Sequence, residues 1–515
     1  MEENKHIKAI AKGAIIILLG SIVGKLFAFF YRIVLSRLGE QAYGEISLGL
    51  ALFGILSVIS ILGLDTGVVR FISTARAENN PQKIKGTLLF ASKIIFFLGL
   101  LFSILLFFLS DWIANTFFHA ENLGIILKAL AFALPFDGLR SVISNTFKAF
   151  QKIEYDMYGR VITESFLKIV LTLIFLYLGL GIFGAALAFT FSVIFSFGIL
   201  FFLLEKKTFS ILNKSLESVY AKKELLNYSL PLVFNSLTII IIAWADTIML
   251  GYLTDTTIVG VYNVAIPTAK LILIFPTAFA SLYLPIIASV YANKEEFEKV
   301  YYTTTKWILL INGLSFAWLL IYGQELVITF FGANYSSAYL PLIILAVGYF
   351  INGAIYTSRD ILLLTKKTKL IFSITTISCI MNILLNALLI PQWGMVGSAI
   401  ASSTSLILMS LAFFIYAKKE SKTQPFKRKI PIIAAIVVTS AALTKYITNK
   451  IYWGKTYFLI AGSLLLISII CLVCIYLTKT LEAEDKEMGT IFLRKIKGVF
   501  QGKKQNSPNS EGKKD

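Results

Sequence analysis

Nine of the chain's 48 Lys and Arg residues stand inside apolar runs long enough to cross a bilayer: Lys12, Lys25, Arg32, Lys93, Lys128, Arg140, Lys168, Lys270 and Lys306. A cation at mid-bilayer costs at least about 2.5–3.5 kcal/mol on insertion scales, so each should have a reason to be there. Lys12, Lys93, Lys128 and Lys306 lie near run ends, where the alkyl stem can stay in hydrocarbon while the ammonium reaches water. Asp137 with Arg140 (i, i+3) and Glu164 with Lys168 (i, i+4) read as self-neutralised pairs on single helices. Lys25, Arg32 and Lys270 are the least compensated. Lys25 and Arg32 are two turns apart on one helical face, together with Ser21 and Ala28, about 10 Å along the axis. Lys270 lies between Pro267 and Pro276, with Pro285 following at the same spacing. Interior prolines remove backbone hydrogen bonds and invite bends, which are tolerated where the backbone faces protein or a wet cavity. A basic, water-accessible cavity suits an anionic head group such as a phosphate or diphosphate, bound through charge-assisted hydrogen bonds. A cation exporter would want the opposite sign. Asp65 with Arg70 and Arg359 with Asp360 sit at inner span ends as gate candidates. Asp65, Glu164 and Asp246 are candidates for a coupling H⁺ or Na⁺. Asp246 has no close cation in sequence and lies near the level of Arg32, so the two are expected to meet across the molecule when the outer side is closed.

The elements that position these groups follow from composition. Of 515 residues, 57% are apolar and 15% charged. That excludes a soluble multidomain enzyme, a disordered chain and a disulfide scaffold, though not a membrane enzyme. At about 20 residues per membrane helix, the apolar content suffices for roughly fourteen, and fourteen runs are visible, from about residues 10–35 to about 456–478. The net charge of +19 has a topological explanation. With the amino terminus inside, 35 basic residues fall in cytoplasmic segments and 4 outside, a strong positive-inside bias that survives to the tail. The chain therefore reads as a multi-pass plasma-membrane protein with both termini cytoplasmic, and no nucleic-acid partner is needed. Cys379, Cys471 and Cys474 are embedded in apolar runs, and His6 and His119 are isolated, so neither a metal nor a cofactor is called for.

An internal repeat organises the spans. Gly181-Ile-Phe-Gly184-Ala-Ala-Leu-Ala188 recurs as Gly394-Met-Val-Gly397-Ser-Ala-Ile-Ala401, and Tyr43-Gly44 is echoed by Gly260-Val261-Tyr262. The expected architecture is all-α, with two parallel six-helix lobes at residues 1–205 and 224–420, joined by a cytoplasmic linker at 206–223. Two additional spans follow at 421–478. A basic tail at 479–515 opens with an amphipathic stretch and ends in a polar, disordered segment.

Together, Arg37-Leu38-Gly39 with Tyr43-Gly44, Gly63-Leu64-Asp65-Thr66-Gly67 through Arg70, the Asp246 span with Gly260-Val261-Tyr262, and Pro391-Gln-Trp-Gly394-Met-Val-Gly397 resemble a known group. It is the polysaccharide-transporter branch (Wzx-like, O-antigen flippase) of the multidrug/oligosaccharidyl-lipid/polysaccharide exporter superfamily. The resemblance covers roughly residues 8–420 and rests on the order and spacing of the motifs. It implies a V of two six-helix lobes and alternating access that moves a polyprenyl-linked oligosaccharide from the inner to the outer leaflet. Lipid II flippases of the same superfamily depend on basic residues in spans 1 and 8, and by position Lys25, Arg32 and Lys270 look like their equivalents. Lys stands where Arg is more usual at two of these places, so phosphate would be met there by point charges rather than bidentate forks. The expected partners are the lipid-linked glycan, membrane lipids and a coupling H⁺ or Na⁺, with the protein acting as a monomer. The alternatives are a multidrug or cation antiporter, a lipid II-type peptidoglycan precursor flippase, and a membrane glycosyltransferase or polymerase. The antiporter would want uncompensated acids in the cavity, whereas the acids here mostly have basic neighbours, and the enzymes a large external loop with catalytic side chains, whereas the external loops here are short.

Overall fold

A computed structural model describes residues 20, 22–426, 429–451, 456–482 and 485. Lys12, Ser21 and the tail beyond residue 485, with its amphipathic stretch, lie outside the described residues. Among the described residues the secondary structure is helical, with no strand.

The first half of the chain runs α1 (22–36), α2 (Glu40–Ile61), α3 (Leu64–Ala77), α4 (Pro81–Ile113), α5 (Leu123–Ala131), α6 (Leu134–Ala149), α7 (Ile153–Asp156), a π-helical stretch Met157–Glu164, α8 (Ser165–Tyr177) and α9 (Gly181–Lys207). The second half runs α10 (Lys222–Leu253), α11 (Thr256–Ala269), a 3₁₀ turn Lys270–Leu273, α12 (Ile274–Val290), α13 (Lys294–Phe330), α14 (Tyr339–Ala354), α15 (Ser358–Leu364) and α16 (Thr368–Ser421). Two more helices follow, α17 (Ile430–Lys450) and α18 (Thr456–Leu477). Helix starts are set by familiar chemistry. Asn80 accepts from Lys83 N at 2.9 Å with Pro81 next to it, and Asp255 accepts from Ile258 N at 2.9 Å.

Ten helices among the described residues are long and apolar enough to cross a membrane, against the fourteen runs counted in sequence. The shortfall has physical causes: some spans are broken into short pieces, and α16 is not one straight rod. Its 54 residues would extend about 80 Å, yet Asn382 Nδ2 donates to Ser402 Oγ at 2.9 Å, so the chain reverses between them. The reversal is at Gly394 (φ 53°), and the corresponding Gly181 opens α9 at φ 50°, a backbone conformation that a Cβ disfavours. The breaks also correspond between halves. The α2/α3 break matches that between α11 and α12, and the α5/α6 break matches that between α14 and α15.

The turns sort into two ends. At one, Arg37 donates to the Phe330 carbonyl and Tyr335 to the Ser36 carbonyl, and Gly251 packs on Phe118. At the other, Arg76 bonds the Ala149 carbonyl and Val219 N bonds the Gln82 carbonyl. The connector between halves is pinned at this second end, because the buried Lys85 donates to the Asn213 and Leu216 carbonyls at 2.6 and 2.8 Å. The halves meet mainly through α2 and α3 against α10 and α11. Where α2 crosses α11, Gly44 and Gly260 face each other. A Cβ on Gly44 would lie 1.8 Å from the Thr256 carbonyl oxygen, and one on Gly260 would lie 1.9 Å from that of Glu40. Each clash is with the carbonyl four residues before the opposite glycine, so the contact is symmetric.

Helix α13 carries α17 and α18 on polar clasps along its length. Tyr322 pairs with Thr448 at 2.7 Å, Trp318 donates to Ser463 at 3.0 Å, and Lys306 meets Glu482 and Asp485 at 3.0 and 2.5 Å. Within lipid, where apolar contact drives helix association weakly, such bonds supply specificity. Lys306 is thus not a snorkelling cation: it is 3% exposed and neutralised by carboxylates that sequence places 176 and 179 residues away. Cys379 and Cys471 are free and buried, and Cys474 is free and half-buried.

Candidate functional site

The three uncompensated cations come together on one seam between the halves. Helix α1 runs alongside the broken span formed by α11, the 3₁₀ turn and α12, in opposite directions. Lys25 donates to Thr277 Oγ1, and two turns on, Arg32 donates to the Asn263 carbonyl at 3.3 Å. Asn263, Lys270 and Thr277 are themselves seven residues apart, so Lys270 falls between the two contacts. The helix breaks at Lys270 itself, as the bracketing prolines suggested, and its side chain is exposed deep in the bundle, whereas Lys25 and Arg32 are half-buried.

Lys270 lines a cavity of about 230 Å³ within the second half, together with Asp246, Tyr349, Asn382 and Ser402. Asp246 at the cavity wall accepts from Tyr262 Oη at 2.8 Å, Ser402 Oγ at 2.5 Å, Asn386 Nδ2 at 2.9 Å and Asn382 Nδ2 at 3.5 Å. Four neutral donors therefore satisfy a carboxylate that sequence left unpartnered. The expected meeting of Asp246 with Arg32 is not made in this structure, although the halves touch at the Gly44–Gly260 crossing. Arg32 is held instead by Tyr43 Oη at 3.1 Å and by the Asn263 carbonyl.

In the first half, Arg140 bonds both Asp137 and Glu164, Ser57 donates to Asp137 at 2.5 Å, and Lys168 stands 3.9 Å from Glu164 over the Tyr31 ring. The two local pairs thus fuse into one network that ties α2, α6 and the Met157–Ser165 region together. Asp65 and Arg70 do not pair. Asp65 accepts from Thr66 N at 2.7 Å and Ser141 Oγ at 3.3 Å, while Arg70 stacks on Tyr228 at 4.3 Å, a contact from the first half to the second. Arg359 is exposed and forms no ion pair with its neighbour Asp360, whose Oδ2 lacks a hydrogen-bond partner among the described residues. Sequence reasoning missed Tyr43, Asn263, Tyr262, Ser402, Asn382 and Asn386. Tyr43 and Tyr262 were visible only as repeat motifs, Asn263 only through Pro267 four residues on, and Asn382 and Asn386 as an i, i+4 pair of amides in an otherwise apolar run; Ser402 left no signal.

Residues 10–291, more than half of the chain, match the family described as polysaccharide biosynthesis protein. The chain belongs to that family. The MatE family also matches, over residues 231–388. Stage V sporulation protein B of Bacillus subtilis (strain 168) is 23% identical over 489 residues, covering 86% of this chain and 90% of its own. The probable flippase AglR of Haloferax volcanii is 30% identical over 193 residues, 36% of this chain and 39% of its own. Among solved structures, the lipid II flippase MurJ in an inward closed conformation aligns with a TM-score of 0.69 at 17% identity, covering 90% of this chain and 97% of that one. An inward-facing multidrug resistance MATE family transporter aligns with a TM-score of 0.69 at 16% identity, covering 79% and 98%. These structural likenesses show the fold, a polytopic helical bundle.

Proposed function

We propose that this family member is a flippase that carries a polyprenyl-diphosphate-linked oligosaccharide from the inner to the outer leaflet of the plasma membrane for cell-surface polysaccharide synthesis. The observation that carries the reading is the cationic seam. Lys25 and Arg32 from one half lie along the span that carries Lys270 in the other, and among the described residues no acid forms an ion pair with any of the three. A diphosphate is the polar group of such a carrier lipid that can neutralise three cations, and charge-assisted bonds in a low-dielectric site are strong.

The chain works as a transporter rather than an enzyme, through two six-helix lobes that pivot about each other. The amino-terminal lobe is residues 1–205 and the second is 224–420, with 206–223 as linker; the correspondence of helix breaks supports this division. The positive-inside bias supports a topology with the Gly44–Gly260 end outside and both termini in the cytoplasm. The state described here then has its outer side closed, as required to admit a substrate from the inner leaflet. Both halves of the seam lie in one chain, so a monomer suffices. Asp246, with its carboxylate oxygens and the Asn386 Oδ1 beside it that has no hydrogen-bond partner among the described residues, is the coupling site for H⁺ or Na⁺, because oxygen donors suit a small hard cation. The test is leaflet transfer of a fluorescent lipid-diphosphate oligosaccharide in liposomes: Asp246→Asn should abolish the dependence of transfer on an ion gradient. Gradient dependence unchanged from wild type would remove Asp246 from coupling.

A further inference from the structure

Four cross-half bonds close the outer end, on three backbone carbonyls that lack the usual helical donor four residues on. Ser36 and Phe330 are the last residues of α1 and α13, whose terminal carbonyls have no intrahelical donor, although that of Ser36 also takes the turn N–H of Gly39 at 3.2 Å. They accept from Tyr335 Oη at 3.0 Å and Arg37 at 3.1 Å. The third carbonyl, that of Asn263, lies inside α11, where it should accept from the N–H four residues on. That residue is Pro267, which has no N–H. The orphaned oxygen is taken by the opposite half: Tyr43 Oη donates to it at 3.0 Å and Arg32 at 3.3 Å. Arg32 also donates to the Tyr43 oxygen at 3.1 Å, so the hydroxyl is used as donor and acceptor at once. Tyr43 and Asn263 are each 1% exposed, and buried backbone acceptors without a partner are rare. The Asn263 side chain fixes the geometry from its own side, donating to the Val259 carbonyl at 3.0 Å and Thr247 at 3.2 Å.

We propose that Pro267, Asn263 and Tyr43 form a gate latch for Arg32. The proline frees a carbonyl that holds the guanidinium on the closed outer gate until an anionic head group draws it away. The latch deepens the flippase reading, on which its release step rests. It gives Arg32 two exclusive partners: the Asn263 carbonyl when the path is empty, and phosphate oxygen when it is loaded. Losing Arg32 from the carbonyl removes one of the four outer bonds and leaves Tyr43 alone on Asn263, so loading and outer opening are coupled through one side chain. Tyr43 and Pro267 act as positioning residues, since neither needs to touch substrate.

The test uses the full chain in liposomes, with the three native cysteines replaced by serine and a single reporter, Ser36→Cys, at a buried outer position. Labelling by a membrane-impermeant maleimide reports outer opening. Tyr43→Phe and Pro267→Ala should each raise the rate about five-fold or more, the low end of a typical coupling between sites. The double variant should add little, because both act on one carbonyl. Pro276→Ala, which restores an N–H to the Ile272 carbonyl and not to Asn263, should leave the rate unchanged. Unchanged labelling in Tyr43→Phe and Pro267→Ala would overturn the latch, and so would an equal rise in Pro276→Ala, which would indicate general straightening of the span. Adding undecaprenyl diphosphate should raise labelling in the otherwise wild-type reporter and not in Arg32→Ala. Faster labelling in the latch variants without any response to the lipid diphosphate would overturn the release step and the diphosphate reading while leaving the Pro267 mechanism standing.

Discussion

Substituting Gly44 by alanine should push the transporter away from the state proposed to be closed on the outer side, and the size of the effect can be worked from the crossing. The new methyl would lie 1.8 Å from the Thr256 carbonyl oxygen and 2.9 Å from Gly260 N, both backbone atoms that no rotamer change can move. Restoring an ordinary 3.4 Å contact requires α2 and α11 to part by about 1.6 Å. Overpacking of this kind costs about 1–3 kcal/mol. Charged to the closed state alone, that is about a 5–150-fold shift toward separation. Spin labels at the exposed positions Gln41 and Thr257 would report it as a longer, broader distance distribution, accompanied by slower transfer of lipid-linked substrate. Gly260→Ala should do the same through the Glu40 carbonyl. Because one separation relieves both clashes, the double variant should fall short of additivity by at least about 0.5 kcal/mol. Wild-type distances in Gly44→Ala, or strict additivity in the pair, would refute the crossing as the outer contact between halves.

Other consequences are independent of that crossing. Removing Arg140 leaves the buried Asp137 without its cation and Glu164 with only Lys168 at 3.9 Å, so Arg140→Ala should destabilise the protein by about 3–5 kcal/mol, with part of the loss recovered by adding Asp137→Asn; thermal unfolding in detergent measures both. Lys306→Met should release the segment around Glu482 and Asp485 from α13, seen as increased mobility of a spin label at Leu481. That segment should also loosen in acid. Burial pushes the Glu482 carboxyl up, but hydrogen bonds and charge from Lys429 and Lys306 outweigh it and hold it below its ordinary 4.5. Its contribution is therefore complete above that value and lost as pH falls below it toward the depressed one. The effect is below about 1 kcal/mol for so exposed a group, and no loosening of the Leu481 label between pH 7 and pH 3.5 would contradict it.

Much of the cationic seam was legible because it is written in helical periodicity. Lys25 and Arg32 share a face by their seven-residue spacing, and Pro267 and Pro276 announced the break at Lys270. The glycines that mark the repeat were legible for a similar reason: Gly181 and Gly394 adopt a positive φ, and Gly44 and Gly260 allow backbone contact, requirements that few other residues meet. Partners joined only by tertiary packing were not legible. Asp246 looked bare in sequence because its donors Asn382, Asn386 and Ser402 lie 136–156 residues away. Lys306 looked like an end-of-span cation because its acids follow α18. Asp65 and Arg70 looked paired by proximity, yet Ser141 and Tyr228 offered better geometry to each. The Asn263 carbonyl could have been read as free, four residues before Pro267, but nothing local says that Tyr43 and Arg32 would fill it.

The central claim is that the cations on the seam carry the diphosphate. Its most direct test is leaflet transfer of a fluorescent lipid-diphosphate oligosaccharide by purified protein in liposomes, comparing wild type with Lys25→Ala, Arg32→Ala and Lys270→Ala at equal reconstituted amounts. The seam predicts that each variant remains folded and loses about ten-fold or more in transfer, since one charge-assisted bond is worth about 1.5–3 kcal/mol. Transfer at the wild-type rate in all three would contradict it.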